Sequence, residues 1–211
     1  MWGSKQGMIA ALLLVAAGFG CASWAAADAT FAITIRDANG VPVHDAVVTI
    51  VPAGGVGDRP VRFAWANRMV QKDIAFNPGT LIVPVGAEVG FPNADKVRHH
   101  VYSFSKAAKF NLKLFGRDET RSHRFSVAGN VALGCNIHDR MKGYIKVVDT
   151  PFAARTDEYG QLRIAGLPGG RATVKVWHPL QRAKDGESSY QIDIPAGGVA
   201  NKDLSLAMRP R

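Results

Sequence analysis

Cysteine is almost absent from this 211-residue chain, which has only Cys21 and Cys135. Cys21 falls in an N-terminal stretch with the marks of an export signal, so the mature chain is expected to keep Cys135 alone. No intramolecular disulfide can then form, and an exported chain with one thiol needs a reason for it. A structural zinc site of the usual kind is also disfavoured, because its four ligands normally include a second Cys/His pair at short spacing. There is no Cys-x-x-Cys-His for covalent haem and no His-Glu-x-x-His. No second long apolar run follows the N-terminal one, so no transmembrane segment is expected in the mature chain. No stretch carries a sustained helical period. No nucleic-acid motif occurs, and nucleic acid is a poor partner for an exported protein.

The N-terminus reads as a secretory signal. Lys5 is the only charged side chain in the first 27 residues, Met8 to Gly20 is apolar, and Ala25-Ala26-Ala27 fits cleavage before Asp28. Gly18-Phe19-Gly20 lacks the aliphatic residue that a lipoprotein signal places before its cysteine, which disfavours an anchor at Cys21. The expected location is periplasmic or secreted. The mature residues, 28–211, carry 25 Lys/Arg against 17 Asp/Glu. Residues 60–149 alone hold 14 against 7, so the basic character belongs to the middle of the chain. Such a balance suits an acidic protein partner or an anionic surface.

The pattern is all-β. Phe31, Ile33 and Ile35 alternate with polar neighbours, and Asp37–Gly40 makes a turn before the run "DAVVTIVP". Near the other end, "TDEYGQLRIAGLPGGRATVKVWHP" alternates turn and strand, and "YQIDIPAG" and "KDLSLAM" follow. Many short strands divided by Gly, Pro and Asn turns indicate sandwiches or barrels. "ITIRDANGVPVHDAVVTIVPA" resembles the opening hairpin of a carboxypeptidase-regulatory-like (transthyretin-like) domain, and the later run resembles that domain's second part. About ninety residues separate the two pieces. The resemblance therefore implies residues 28–58 and 150–211 as one small β-sandwich, with residues 59–149 inserted at the exposed loop Pro52–Pro60. One continuous large sandwich is the alternative.

The chemistry is concentrated in "GCNIHDRMKGYIKV", Gly134 to Val147. It puts a thiol, an imidazole and a thioether, Cys135, His138 and Met141, at three-residue steps. A Cys–His nucleophilic pair so close on a tight loop is poorly placed to transfer a proton over a substrate. Thiolate and thioether instead suit Cu(I), and imidazole tolerates both copper oxidation states. Two His and one Cys in a plane with a weak axial Met form an electron-transfer copper site. The missing histidine has two candidates, His99 and His100 in "FPNADKVRHHVYSF". Adjacent strand residues face opposite ways, so both cannot readily reach one metal.

At these residues the chain resembles the cupredoxins. "CNIHDRM" matches the short Cys-x-x-His-x-x-Met ligand loop seen in amicyanin. "IAFNPGTLIVPVGAEVGFPNADKVRHHV" resembles the cupredoxin run of strand, Val-x-x-Gly turn, strand, Asn, then a His near a Val. The likeness extends from Val61 to Val148. It implies a Greek-key β-sandwich of cupredoxin type and one mononuclear type 1 copper. Cys135 and His138 would be planar ligands and Met141 the axial one. Aligning on Val101 makes His99 the remaining planar ligand and puts His100 where the family commonly has asparagine. Two departures stand out. Leu133 replaces a frequent aromatic, and Asp139 and Arg140 replace the apolar residues beside the exposed histidine.

The resemblance implies a non-enzymatic carrier of single electrons, with an amine-oxidation (methylamine utilisation-like) chain as its setting. A copper-delivery protein and a metal-free interaction module are the alternatives. The run Lys106–Arg124 holds six Lys/Arg against Asp118 and Glu119. It is a candidate docking surface for an acidic redox partner, a dehydrogenase or a cytochrome. His44, His123 and His178 read as surface or packing residues.

Overall fold

The computed structural model describes residues 28–210, and the expected export signal over residues 1–27 lies outside them. Sixteen strands follow in chain order. They are β1 (Ala29–Asp37), β2 (Val47–Pro52), β3 (Val70–Lys72), β4 (Ala75–Asn77), β5 (Thr80–Pro84), β6 (Ala87–Pro92), β7 (His99–Ser105) and β8 (Ala108–Phe115), then β9 (Thr120–Phe125), β10 (Gly129–Gly134), β11 (Lys142–Val148), β12 (Ala153–Arg155), β13 (Gln161–Leu167), β14 (Gly170–Trp177), β15 (Glu187–Ile194) and β16 (Val199–Leu206). The only helical element among the described residues is a single 3-10 turn, Lys184–Gly186. No helix among them is long and apolar enough to cross a membrane. The molecule is all-β.

Strands from the two ends of the chain build two sheets. One runs β13-β1-β16 and the other β12-β2-β14-β15. Strand alternation decides which side chains meet between them. Phe31, Ile33 and Ile35 of β1 point inward with Ile50, Ile164 and Val174, and form a core of their own.

Strands from the middle build a second set: a five-stranded sheet β5-β11-β10-β7-β8, the pair β6-β9 and the hairpin β3-β4. Their shared core holds Phe91, Phe115, Phe125, Val131 and Ile145, and also Cys135 and Met141. Phe91, Phe115 and Phe125 are wholly buried, and each such side chain contributes roughly 1.5–3 kcal/mol by leaving water. A third, smaller cluster joins the two parts. In it Ile82 and Val148 of the five-stranded sheet pack with Val47, Ala153 and Trp177.

Candidate metal centre

The site lies where β7 and the β10–β11 hairpin meet. In that hairpin Gly134 faces Lys142, which leaves residues 135–141 as the loop. Cys135 follows β10 directly and Met141 directly precedes β11, so the two residues flank the mouth of the loop. Both are buried in the apolar core, at 3% and 1% exposure. The amide of Met141 donates to the carbonyl of His138 at 2.9 Å, which closes the loop as a turn and brings Met141 back beside its base.

His99 opens β7 and is completely buried. Its Nδ1 is 4.0 Å from Cys135 Sγ, and His138 Nδ1 is 3.6 Å from the same sulfur. The ligating atoms of His99, Cys135 and His138 all lie within 4.8 Å of one another. Metal–nitrogen and metal–sulfur bonds of ordinary length, set at 120°, would put N and S about 3.7 Å apart. The observed separations fall on either side of that value, so the three donors fit one metal ion. His138 is half-buried, and the other two donors are sealed from water.

His100 points the other way. Its Nε2 is 2.6 Å from Asn111 Oδ1, and its Nδ1 has no partner among the described residues. Its contribution to the site is its main chain: the His100 N–H donates to Cys135 Sγ at 3.5 Å. That contact orients the sulfur between the two imidazoles.

The other nitrogen of His99 is also held. Its Nε2 is 2.6 Å from Asp95 Oδ2. That carboxylate accepts two more hydrogen bonds, from the amides of Asp73 at 2.7 Å and Ile74 at 3.0 Å. Asp73 and Ile74 form the β3–β4 turn with φ of 56° and 54°, the left-handed pair of a type I′ hairpin. Burial pushes the Asp95 carboxyl up. The bonds from His99, Ile74 and Asp73 outweigh it and hold the group below the usual carboxylate range. With an acceptor fixed at Nε2, the proton of neutral His99 sits there and leaves Nδ1 free to ligate. Asn93 braces the same segment, donating to the carbonyls of Val97 and Phe115 and accepting from the Asp95 amide.

No protein-family model and no curated protein matches this sequence. Solved structures do. A Cu-containing nitrite reductase from Thermus scotoductus SA-01 is 25% identical over 43% of this chain, with a TM-score of 0.38. The match spans only 25% of the reductase. A reduced amicyanin variant is 20% identical over 49% of this chain and 99% of its own, with a TM-score of 0.37. A second amicyanin variant, in its Cu(I) form, is also 20% identical over the same shares, with a TM-score of 0.36. The case for a metal centre in this chain rests on the donor geometry.

The remaining histidines lie apart from it. His44 is exposed beside Asp45, and His178 is buried next to Trp177 and accepts from the Leu180 amide. His123 stacks on Phe110 with ring centroids 4.1 Å apart. Asn93 is the Asn of the motif read ahead of His99, whereas nothing in the sequence pattern singles out Asp95 or Asn111. The one local signal for Asp95 is that it is a turn-forming residue just ahead of His99.

Proposed function

We propose that the chain is an exported type 1 copper protein that carries single electrons between redox proteins, with an amine-oxidising chain as its setting. The observation that carries this reading is the Nδ1–Sγ–Nδ1 arrangement of buried His99, buried Cys135 and half-buried His138, with Met141 in the same apolar cluster as Cys135. A thiolate and two imidazoles with a nearby thioether suit copper better than harder divalent ions. Copper held there would supply one-electron chemistry by alternating between its two common oxidation states.

The residues around the donors do the rest. Asp95 fixes the tautomer and plane of His99, and the His100 amide holds the Cys135 sulfur in place by a hydrogen bond. Because these supports are themselves hydrogen-bonded or packed in the core, the donors keep one arrangement when the charge at the site changes. Half-buried His138 is the ligand nearest solvent. His99 and Cys135 are 0% and 3% exposed, which favours retention of the metal over the delivery role. In this reading the chain is a carrier rather than an enzyme. The end-derived sheets, with their transthyretin-like sequence pattern, serve as a spacer or partner-binding part.

Protein-film voltammetry of the copper-loaded chain tests the proposal. A reversible one-electron wave is expected. Met141→Leu should retain copper and raise the potential, because losing a donor destabilises Cu(II) more. Met141→Gln should lower it, because a harder oxygen favours Cu(II). No wave from a copper-loaded protein would point to storage or delivery instead.

A further inference from the structure

The five-stranded sheet has two unlike faces. Val101, Ser103, Val131, Leu133 and Ile145 point into the core and are buried. Tyr102, Phe104, Ala132, Gly134, Lys142 and Tyr144 alternate with them on the outer face. Part of that outer face is covered, where Ile82, Val148 and Tyr144 meet Val47, Ala153 and Trp177. The Tyr144 and Trp177 rings stand edge to face, 5.6 Å between centroids. The rest is open, and Phe104 at its centre is 81% exposed.

Two depressions run along this open half, of about 550 and about 680 Å³. They share Phe104, Ser105, Ala132 and Tyr144, so they form one groove. One end reaches Cys135 and Met141, and the other reaches Trp177 and Pro179. The floor is small and the wall aromatic. Tyr102 and Phe104 lie 5.2 Å apart between ring centroids. The Tyr102 ring also lies against Gly134, where a Cβ would come within 2.8 Å of it. Glycine at 134 is what lets an aromatic wall press onto the backbone next to Cys135.

The rim carries a modest excess of positive charge. Lys106, Lys142 and Arg209 line the groove, and Lys109 stands directly opposite Phe104 across the β7–β8 pair. Asp139 and Asp185 are the acidic residues there. An apolar centre ringed by scattered cations complements a protein surface with an apolar centre ringed by carboxylates. The loop tip is a poorer match: Ile137 is 47% exposed there, but charged Asp139 and Arg140 stand close by in the chain. The basic run Lys106–Arg124 is also divided by the fold. Lys106 and Lys109 border this groove, whereas Arg121 and Arg124 are on β9 of the other sheet, paired with Glu119 and Glu88.

We propose that this open face, centred on Phe104 and running to Cys135, is the docking surface for an acidic one-electron carrier protein. The proposal rests on the reading of the chain as a redox carrier and adds where its partner sits.

The test is an amide-shift titration of the uniformly 15N-labelled mature chain with a plant-type [2Fe–2S] ferredoxin, an acidic one-electron protein. It is run at about 10 mM ionic strength, where the screening length is roughly 30 Å. Shifts should centre on residues 102, 104, 132, 134, 142 and 144. Phe104→Glu should weaken binding by about tenfold, as expected for a central contact residue, and Ile137→Glu by less than about twofold. Shifts centred on residues 136–140, with Ile137→Glu the damaging change, would overturn the proposal, and so would the absence of binding. Equal occupation of the same amides by a polythymidine oligonucleotide, or by the chain itself at higher concentration, would overturn it too. Copper uptake is measured on the same samples. Binding at the Phe104 face by protein that takes up no copper would keep the surface and remove the redox reading, so the two failures are distinguishable.

Discussion

Asp95 Oδ2 lies 2.6 Å from His99 Nε2, while the other ring nitrogen of His99 faces Cys135 Sγ at 4.0 Å. One imidazole is thus fixed from behind by a carboxylate that is itself tied to the β3–β4 turn. Supports of this kind commonly change metal affinity by 10–100-fold when removed. Asp95→Ala should weaken copper binding by about that factor, and Asp95→Asn by less, because an amide oxygen still accepts from Nε2. Competition with a copper chelator measures it. Equal affinity in all three proteins would show that the contact does not position His99.

Gly134 offers a second test, in packing. An added methyl would press into the hydroxyl end of the Tyr102 ring, at 2.8–3.1 Å from its nearest atoms. Overpacking of this kind costs about 1–3 kcal/mol. Gly134→Ala should lower the urea midpoint accordingly, and adding Tyr102→Ala should return part of the loss. Strict additivity in that double-mutant cycle would contradict the contact.

Lys146 joins the two parts of the molecule. It is on β11, its side chain is 8% exposed, and it reaches Asn130 at 2.7 Å and Glu187 of β15. Burial lowers its pKa, and the bond and charge of Glu187 partly restore it. Glu187→Gln leaves a nearly buried ammonium without its counter-charge, a change that costs about 3–5 kcal/mol for well-buried pairs. Glu187 keeps 22% of its exposure, so the low end is expected. Lys146→Met in the same background should recover most of it. Chemical denaturation of the three proteins decides this.

His123 gives a pH dependence. Burial against Phe110 and Phe125 holds its pKa below 6.5. The unfolded chain therefore takes up a proton that the folded chain resists, so stability falls as pH drops from 6.5 toward the folded value. His123→Phe keeps the ring stack and removes the proton site. Its unfolding free energy should fall less between pH 7.5 and 5.5 than that of the parent chain. An identical fall in both would contradict the assignment.

These tests also mark what the sequence could and could not convey. The Cys135–His138–Met141 spacing is legible because one short loop holds all three, and the β1 alternation is legible because Phe31, Ile33 and Ile35 repeat every second residue. Alternation alone left His99 and His100 open, and the β7 register turns His99 toward Cys135 and His100 toward Asn111. Asp95 was not legible. Its partners Asp73 and Ile74 are 21–22 residues away, in a turn whose left-handed φ values usually call for glycine or asparagine. The burial of Lys146 was not legible either, because nothing local announces that Glu187, 41 residues on, will cover it.

The central claim is that Cys135, with His99 and His138, holds a copper ion through its thiolate. Titration of residues 28–211 and of their Cys135→Ser variant with Cu(II), followed by visible absorption and EPR, tests it most directly. The parent chain should take up one equivalent and turn intensely blue, with a small copper hyperfine splitting, and Cys135→Ser should show no such colour even where its histidines still bind copper. A parent chain that stays pale with a large tetragonal splitting, or a Cys135→Ser spectrum unchanged from the parent, would contradict the account.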